Sequence, residues 1–125
     1  MLDLQISKSS NTPKVEFKAE EGFLLIEGRS IPENALEFYE EIIEWVKELK
    51  KTKPANVELH VKLEFFNTST SKLLLHLFKQ LDLFKKDDID AQIYWYHEKG
   101  DDDMLEAGDD YKSILKLPFH IAIME

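Results

Sequence analysis

Residues 57–65 alternate between apolar side chains and charged or polar ones with a period of two. The apolar residues occupy the odd positions, and Glu58, His60, Lys62 and Glu64 occupy the even ones. This pattern is typical of a β-strand with one buried face and one wet face. A parallel strand covered by helices on both sides would be apolar throughout. The alternation therefore predicts a sheet with helices mainly on one face, and it counts Phe65 among the buried positions.

The N-terminal part of the chain predicts a hairpin followed by a helix. Residues 15–19 alternate, and a turn at Glu21 and Gly22 leads into an apolar run over 23–26. Ser30 is predicted to cap the first helix. Apolar residues then recur at helical spacing from Leu36 onward, and Pro54 closes the segment.

The C-terminal half continues the alternation of helices and strands. Leu74, Leu77, Phe78, Leu81 and Phe84 predict a second helix, and residues 89–95 predict another strand. A third helix is expected from about 102 to 116, and a last strand over 119–124. The order predicts an α/β fold, a two-layer mixed β-sheet with an N-terminal hairpin and then βαβαβ units. That order is similar to the topology of anti-sigma-factor-antagonist (STAS) domains, and the length favours one domain over 1–125.

Composition excludes several classes of function. The formal net charge is −9 and Arg29 is the single arginine, whereas a nucleic-acid binder needs clustered basic residues. There is no cysteine, so disulfides and thiolate metal sites are excluded. Neither a signal peptide nor a membrane-spanning stretch is recognisable, which favours a cytoplasmic protein without membrane contact.

The sequence contains no pattern typical of a catalytic or metal centre. Its four histidines lack the spacing of a helical metal site, and no phosphate-binding glycine loop is present. Asp101, Asp102 and Asp103 do not follow the calcium-loop pattern. We expect Asp102 and Asp103 to cap the third helix or to complement the charge at its start, with partner contact as a further role. No cofactor, metal or enzymatic activity is expected.

One segment is chemically unusual. Residues 66–72 read Phe-Asn-Thr-Ser-Thr-Ser-Lys, so four hydroxyl residues in a row stand where a strand gives way to a helix. Helix capping explains one or two of them. Phosphorylation is the alternative, because a phosphate beside the positive end of a helix dipole would leave the fold intact while denying a partner its docking surface.

The chain resembles the SiaC family of regulatory phosphoproteins. The resemblance rests on residues 11–15, 28–34, 66–72, 95–98 and 102–109, which occur in the family's order. It departs from the family pattern at Thr70, where serine is more usual, and around 97–100. The resemblance implies a single SiaC-like domain that works by partner switching.

In SiaC-like systems a dedicated serine/threonine kinase phosphorylates the threonine after the asparagine, and a PP2C-type phosphatase removes the phosphate. The unphosphorylated form activates a diguanylate cyclase, raising cyclic-di-GMP and favouring biofilm. The resemblance implies Thr68 as the phosphorylation site, with Thr70 as second choice. The residues expected to contact the partner are Asn67, Ser69, Ser71, Lys72, Leu73, Asp102 and Asp103.

Three other hypotheses stay open at this point. The chain could be an adaptor that is indifferent to phosphorylation and docks through an exposed apolar side of the second helix, formed by Leu73, Leu77 and Phe84. It could be a regulator similar to anti-sigma-factor antagonists. A small enzyme would require a concave site with convergent polar groups.

Overall fold

The computed structural model describes residues 1–124, which form one six-stranded sheet with three helices. The helices are α1 (Ala35–Lys51), α2 (Thr68–Asp82) and α3 (Asp102–Ile114), and a 3-10 segment, Leu83–Asp87, follows α2. The strands in chain order are β1 (Leu4–Ile6), β2 (Lys14–Lys18), β3 (Phe23–Ser30), β4 (Asn56–Phe66), β5 (Asp90–His97) and β6 (Phe119–Ile123).

The strands lie in the sheet in their chain order, β1 to β6. The first three pair antiparallel, and β3 to β6 pair parallel. Each parallel pair is joined through a helix, and successive crossovers of one hand in one direction place all their helices on the same face. The predicted two-layer mixed α/β sheet is confirmed.

The core lies between this single sheet face and the helices. Alternate strand residues such as Leu24, Leu59 and Ile93 are fully buried there, beneath Val46 of α1 and Phe78 of α2. The other face is polar and aromatic. His60 lies on that face, as predicted, and its ring stacks on Tyr94 at 4.6 Å between centroids.

The sequence prediction omitted β1. This strand has only three residues, which pair antiparallel with β2 from Leu4↔Phe17 to Ile6↔Val15. Three residues are too few for an alternation to be visible, so pairing with β2 rather than local sequence decides this strand.

The prediction that Phe65 belongs to the core was wrong, because β4 contains a bulge near its end. Gly28 pairs with Leu63 but the next residue, Arg29, pairs with Phe65, so Glu64 is an extra residue in β4. The side-chain alternation shifts by one at that point. Phe65 is 51% exposed, and Phe66 turns inward.

The first helix starts later than predicted. Ser30 is the buried last residue of β3, and it does not cap the helix. The cap is Asn34, whose side chain accepts the backbone N–H of Glu37 at 3.1 Å. Leu36, assigned by periodicity to the apolar stripe, is 61% exposed because it lies in the first turn, on the side facing away from the sheet.

The second helix does not have the exposed apolar side on which the adaptor hypothesis rests. Leu77 and Phe84 are fully buried, and Leu73 is half-buried against the core. The reason is that α2 packs against α1 on one side and receives the Tyr111 ring of α3 on the other, with its centroid 5.0 Å from that of Phe78.

The third helix ends at Ile114, two residues earlier than predicted. Leu115 has extended backbone, and the Asp82 carboxylate accepts the backbone N–H groups of Lys116 and Leu117 at 3.1 and 2.8 Å. These bonds hold the chain in an extended path toward Pro118 and β6. The last strand ends at Ile123, within the predicted range of 119–124.

Candidate functional site

Thr68 is the first residue of α2 and its side chain is exposed. It follows β4 directly, at the carboxyl end of the parallel strands, where the chain turns from sheet to helix. Ser69 is exposed beside it. These two hydroxyl residues are therefore accessible to another protein without any change in the fold.

Asn67 holds this turn in place from both ends. Its backbone N–H donates to the carbonyl of Ser30 at 3.1 Å, which joins the turn to β3. Its side-chain oxygen accepts the backbone N–H of Thr70 at 2.9 Å. Asn67 is thus the N-cap of α2. Its half-buried side chain is engaged by Thr70 of the same chain.

Thr70 differs from Thr68 because it is fully buried. Its hydroxyl donates to the carbonyl of Ser30 at 3.0 Å and lies 3.0 Å from the Ser30 hydroxyl. The Ser30 hydroxyl in turn lies 2.7 Å from the hydroxyl of Tyr39. A phosphate on Thr70 would need the core to open, so this placement argues against the second-choice acceptor.

The three buried hydroxyls form a consistent chain of donors. Tyr39 can donate to Ser30, Ser30 to Thr70, and Thr70 to the Ser30 carbonyl, so that each proton has one acceptor. Burial raises the pKa of Tyr39 to about 12, and its hydroxyl stays protonated at neutral pH. The network joins β3, α1 and the first turn of α2.

A second support reaches the same turn from α3. The hydroxyl of Tyr111 donates to the carbonyl of Ser71 at 2.8 Å, and burial raises the pKa of Tyr111 above its ordinary value. The Ser71 hydroxyl donates to the carbonyl of Thr68 at 2.7 Å. Ser71 is therefore engaged within the turn, and its half-buried side chain is less available to a partner than Ser69.

The first turn of α2 is electrostatically suited to an anion. It contains no acidic residue, whereas the first turns of α1 and α3 contain Glu37 and Asp102 with Asp103. The N–H groups of Thr68 and Ser69 have no partner within the helix ladder, and the helix dipole is positive here. Lys72 is exposed four residues after Thr68, on the same side of the helix.

The remaining predicted partner residues fall in two places. Leu73 faces inward on α2 and packs against the core, so it offers little area to a partner. Asp102 and Asp103 are exposed in the first turn of α3 and complement its dipole, as predicted. The cap itself is Asp101, whose side chain accepts the N–H of Met104 at 3.1 Å.

Two depressions in the surface of residues 1–124 lie away from Thr68. One of about 320 Å³ lies at the amino end of β5 and β6, between Lys85, Asp90 and Lys116. An open groove of about 650 Å³ runs between the N-terminal segment and Trp45 of α1. Neither depression includes a residue of the turn that contains Thr68.

The described part of the chain has neither a cluster of metal ligands nor a bilayer-spanning helix. Within residues 1–124, no three His, Cys, Asp or Glu side chains are grouped so that they could hold a metal ion. Over the same residues, no helix has the length and apolar character that crossing a bilayer requires.

Sequence reasoning did not identify the residues that support the turn, namely Ser30, Tyr39 and Tyr111. Ser30 was predicted to cap α1, since a serine before a helix usually caps it, but it is the last residue of β3. Tyr39 and Tyr111 lie on apolar stripes, and periodicity does not report what a hydroxyl group contacts. Local sequence gave no signal for Ser30 either, because Glu27, Gly28 and Arg29 before it are not apolar.

Comparison with known proteins supports one assignment along the whole chain. A Pseudomonas aeruginosa strain UCBPP-PA14 protein described as uncharacterized is 25% identical over 121 residues, covering 97% of this chain and 96% of the relative. The fold is similar to that of apo-SiaC from Pseudomonas aeruginosa, with a TM-score of 0.90, 24% identity, and coverage of 98% of this chain and 99% of the other.

A second solved structure contains the diguanylate cyclase SiaD in complex with its activator SiaC, also from Pseudomonas aeruginosa. The similarity to it has a TM-score of 0.91 at 24% identity, covering 98% of this chain and 100% of the other. The family model of the SiaC family regulatory phosphoproteins matches residues 6–124. The chain therefore belongs to the SiaC family of regulatory phosphoproteins.

Proposed function

We propose that this protein is a non-enzymatic cytoplasmic signalling protein whose partner binding is switched by reversible phosphorylation of Thr68. The observation that carries the proposal is the contrast between two threonines of one turn. Thr68 is exposed at the first position of α2, whereas Thr70, two residues later, is buried and hydrogen-bonded. A kinase would find one accessible threonine in a turn that is already ordered.

The turn would tolerate a phosphate without unfolding. A phosphothreonine adds about −1.5 to −2 charge at neutral pH. The free N–H groups at the start of α2 and the ammonium of Lys72 favour a negative charge there. The supports from Ser30 and Tyr111 lie on the inner side of the turn and would keep their bonds.

The same phosphate would oppose a partner that covers this turn. Lys72 offsets only one unit of that charge, and burying the remainder without a further counter-charge costs on the order of several kcal/mol, enough to abolish a docked state. We propose that the unphosphorylated form binds and activates a diguanylate cyclase, raising cyclic-di-GMP and favouring biofilm. The SiaC whose fold this chain shares is described as the activator of the cyclase SiaD, which supports this output.

A kinase and a phosphatase complete the proposed cycle. Family membership supports a dedicated serine/threonine kinase and a PP2C-type phosphatase as the two enzymes that act on Thr68. The competing adaptor hypothesis loses its structural basis, because the apolar side of α2 that it requires is buried.

The test is phosphorylation of the purified protein by its cognate kinase, followed by intact mass measurement and titration of the cyclase. We expect one phosphate on the wild type, none on Thr68→Ala, and one on the matched control Ser69→Ala. Cyclase binding should be weakened by the phosphate and retained by Thr68→Ala. Full labelling of Thr68→Ala, or equal cyclase binding before and after labelling, would contradict the proposal.

A further inference from the structure

The exposed side of α2 carries basic and neutral side chains only. Its solvent-exposed residues are Thr68, Ser69, Lys72, His76 and Lys79. The helix contains one acid, Asp82, which is half-buried and bonded to the backbone of the loop that follows α3. In a chain with 25 acidic and 16 basic residues, a helix side without an exposed carboxylate is unusual.

Lys72, His76 and Lys79 form one continuous strip, here called the basic ridge. Their spacing of four and then three residues places them along one side of the helix, and Thr68 stands four residues before Lys72 on that side. At 1.5 Å per residue, the distance along the axis from Thr68 to Lys79 is about 16 Å. Thr68, the candidate phosphorylation site, therefore lies next to one end of the basic ridge.

The lysines of the ridge are not neutralised within the chain. In residues 1–124 neither Lys72 nor Lys79 has a carboxylate within 4.0 Å, whereas Lys47, Lys50 and Lys51 of α1 are all paired. The two ammonium groups are available to carboxylates from another molecule.

Acidic side chains flank the basic ridge on the neighbouring helices. Helix α1 exposes Glu37, Glu40 and Glu41, and α3 exposes Asp102, Asp103, Glu106, Asp109 and Asp110. A broad acidic surface would be repelled by both flanks. The charge pattern fits a narrow occupant, a single helix or strand that presents carboxylates to the ridge.

We infer that the basic ridge of α2 is the docking surface for an acidic segment of the partner protein. This inference rests on the proposed function and specifies it. A phosphate on Thr68 repels the partner's carboxylates and takes Lys72, four residues away, as its own counter-ion. The switch thus works by charge reversal at one end of the ridge.

The first experiment compares two double charge reversals. Lys72→Glu with Lys79→Glu alters the ridge, and Lys99→Glu with Lys112→Glu is the matched control. All four side chains are exposed, and none of them has an ion pair among residues 1–124. Both variants change the net charge equally, and unchanged thermal melting would confirm that both fold.

The probe is the purified diguanylate cyclase of the same organism that the unmodified chain binds. We expect the ridge reversal to weaken binding by about tenfold or more, and the control to leave it within about twofold. Wild-type affinity should fall as salt rises, and that dependence should be shallower for the ridge variant. If the ridge variant and the wild type bind the cyclase equally, the inference about the basic ridge is wrong. The proposed switch at Thr68 is not affected by that result.

A second experiment tests the basic ridge even if the protein binds no cyclase. That absence of binding would contradict the proposed function. The probe is a short helical peptide with one stripe of glutamates, titrated at low salt into the isotopically labelled protein. Amide signals of α2 should shift, those of α1 and α3 should not, and phosphorylated Thr68 should suppress the shifts. An absence of shifts along α2 overturns the inference.

Discussion

The Thr70 hydroxyl donates to the carbonyl of Ser30 at 3.0 Å, across forty residues of sequence, and so fastens the start of α2 to the end of β3. Two residues earlier, the hydroxyl of Thr68 lies in solvent. One turn therefore contains a threonine that holds the structure and a threonine that is free for modification.

We expect Thr70→Val to lower the free energy of unfolding by about 1–2 kcal/mol, because it keeps the shape but removes the acceptor of the buried Ser30 hydroxyl and one of two donors to the Ser30 carbonyl. Thr68→Val is the matched control, and at an exposed position it should change stability by less than about 0.5 kcal/mol. Urea denaturation measures both. Equal losses for the two variants would contradict the assigned roles.

We expect Asn67→Ala to cost about 1 kcal/mol of stability, because the N–H of Thr70 loses its acceptor at the start of α2. Asn67→Asp keeps a side-chain oxygen in the same place and adds a charge that the helix dipole favours. This second variant should unfold at the same urea concentration as the wild type or a higher one. If aspartate were as costly as alanine, Asn67 would not act as a cap.

The bulge in β4 predicts opposite outcomes for two adjacent phenylalanines. Phe66→Ala should cost on the order of 2 kcal/mol, because its ring packs on Trp95 with centroids 5.8 Å apart. Phe65→Ala should cost less than about 0.5 kcal/mol, because that ring is half exposed. Urea titrations of the two variants check the bulge. A larger loss of stability for Phe65→Ala than for Phe66→Ala would contradict the bulge and place Phe65 in the core.

Gly108 is a position where the packing of α3 excludes a side chain. A Cβ atom there would lie 2.6 Å from Cδ1 of Trp95, whose ring is fully buried and whose indole N–H donates to the carbonyl of Met104 at 2.9 Å. Gly108→Ala should therefore destabilise the protein by about 1–3 kcal/mol. In a Trp45→Phe background the fluorescence of Trp95 should also change. If Gly108→Ala had the stability and the Trp95 emission of the protein with glycine, α3 would be able to move away from Trp95 at no cost.

Local sequence was sufficient for the features that depend on a short period. The alternation over 57–63 predicted which side of β4 is buried, and the run of hydroxyl residues predicted where α2 starts. Ala35, at the equivalent first position of α1, is buried, so no such local rule gives the exposure of Thr68. The family resemblance added the chemistry expected at that residue.

Other features depended on neighbours that are distant in the chain. The bulge at Glu64 arises from pairing with β3, and it reversed the prediction for Phe65. Leu77 and Phe84 are covered because α2 packs against α1 and β5, and the 3-10 segment after α2 packs against β5.

The amino-acid sequence by itself determined the order of the elements from β2 onward, the wet and dry faces of the central strand as far as Leu63, and the place of the hydroxyl segment. Only the tertiary structure decided which hydroxyls of that segment face water, because Ser30, Tyr39 and Tyr111 come from three other elements. The physical reason is that a periodic pattern specifies a direction relative to the local backbone. What lies in that direction is supplied by distant parts of the chain.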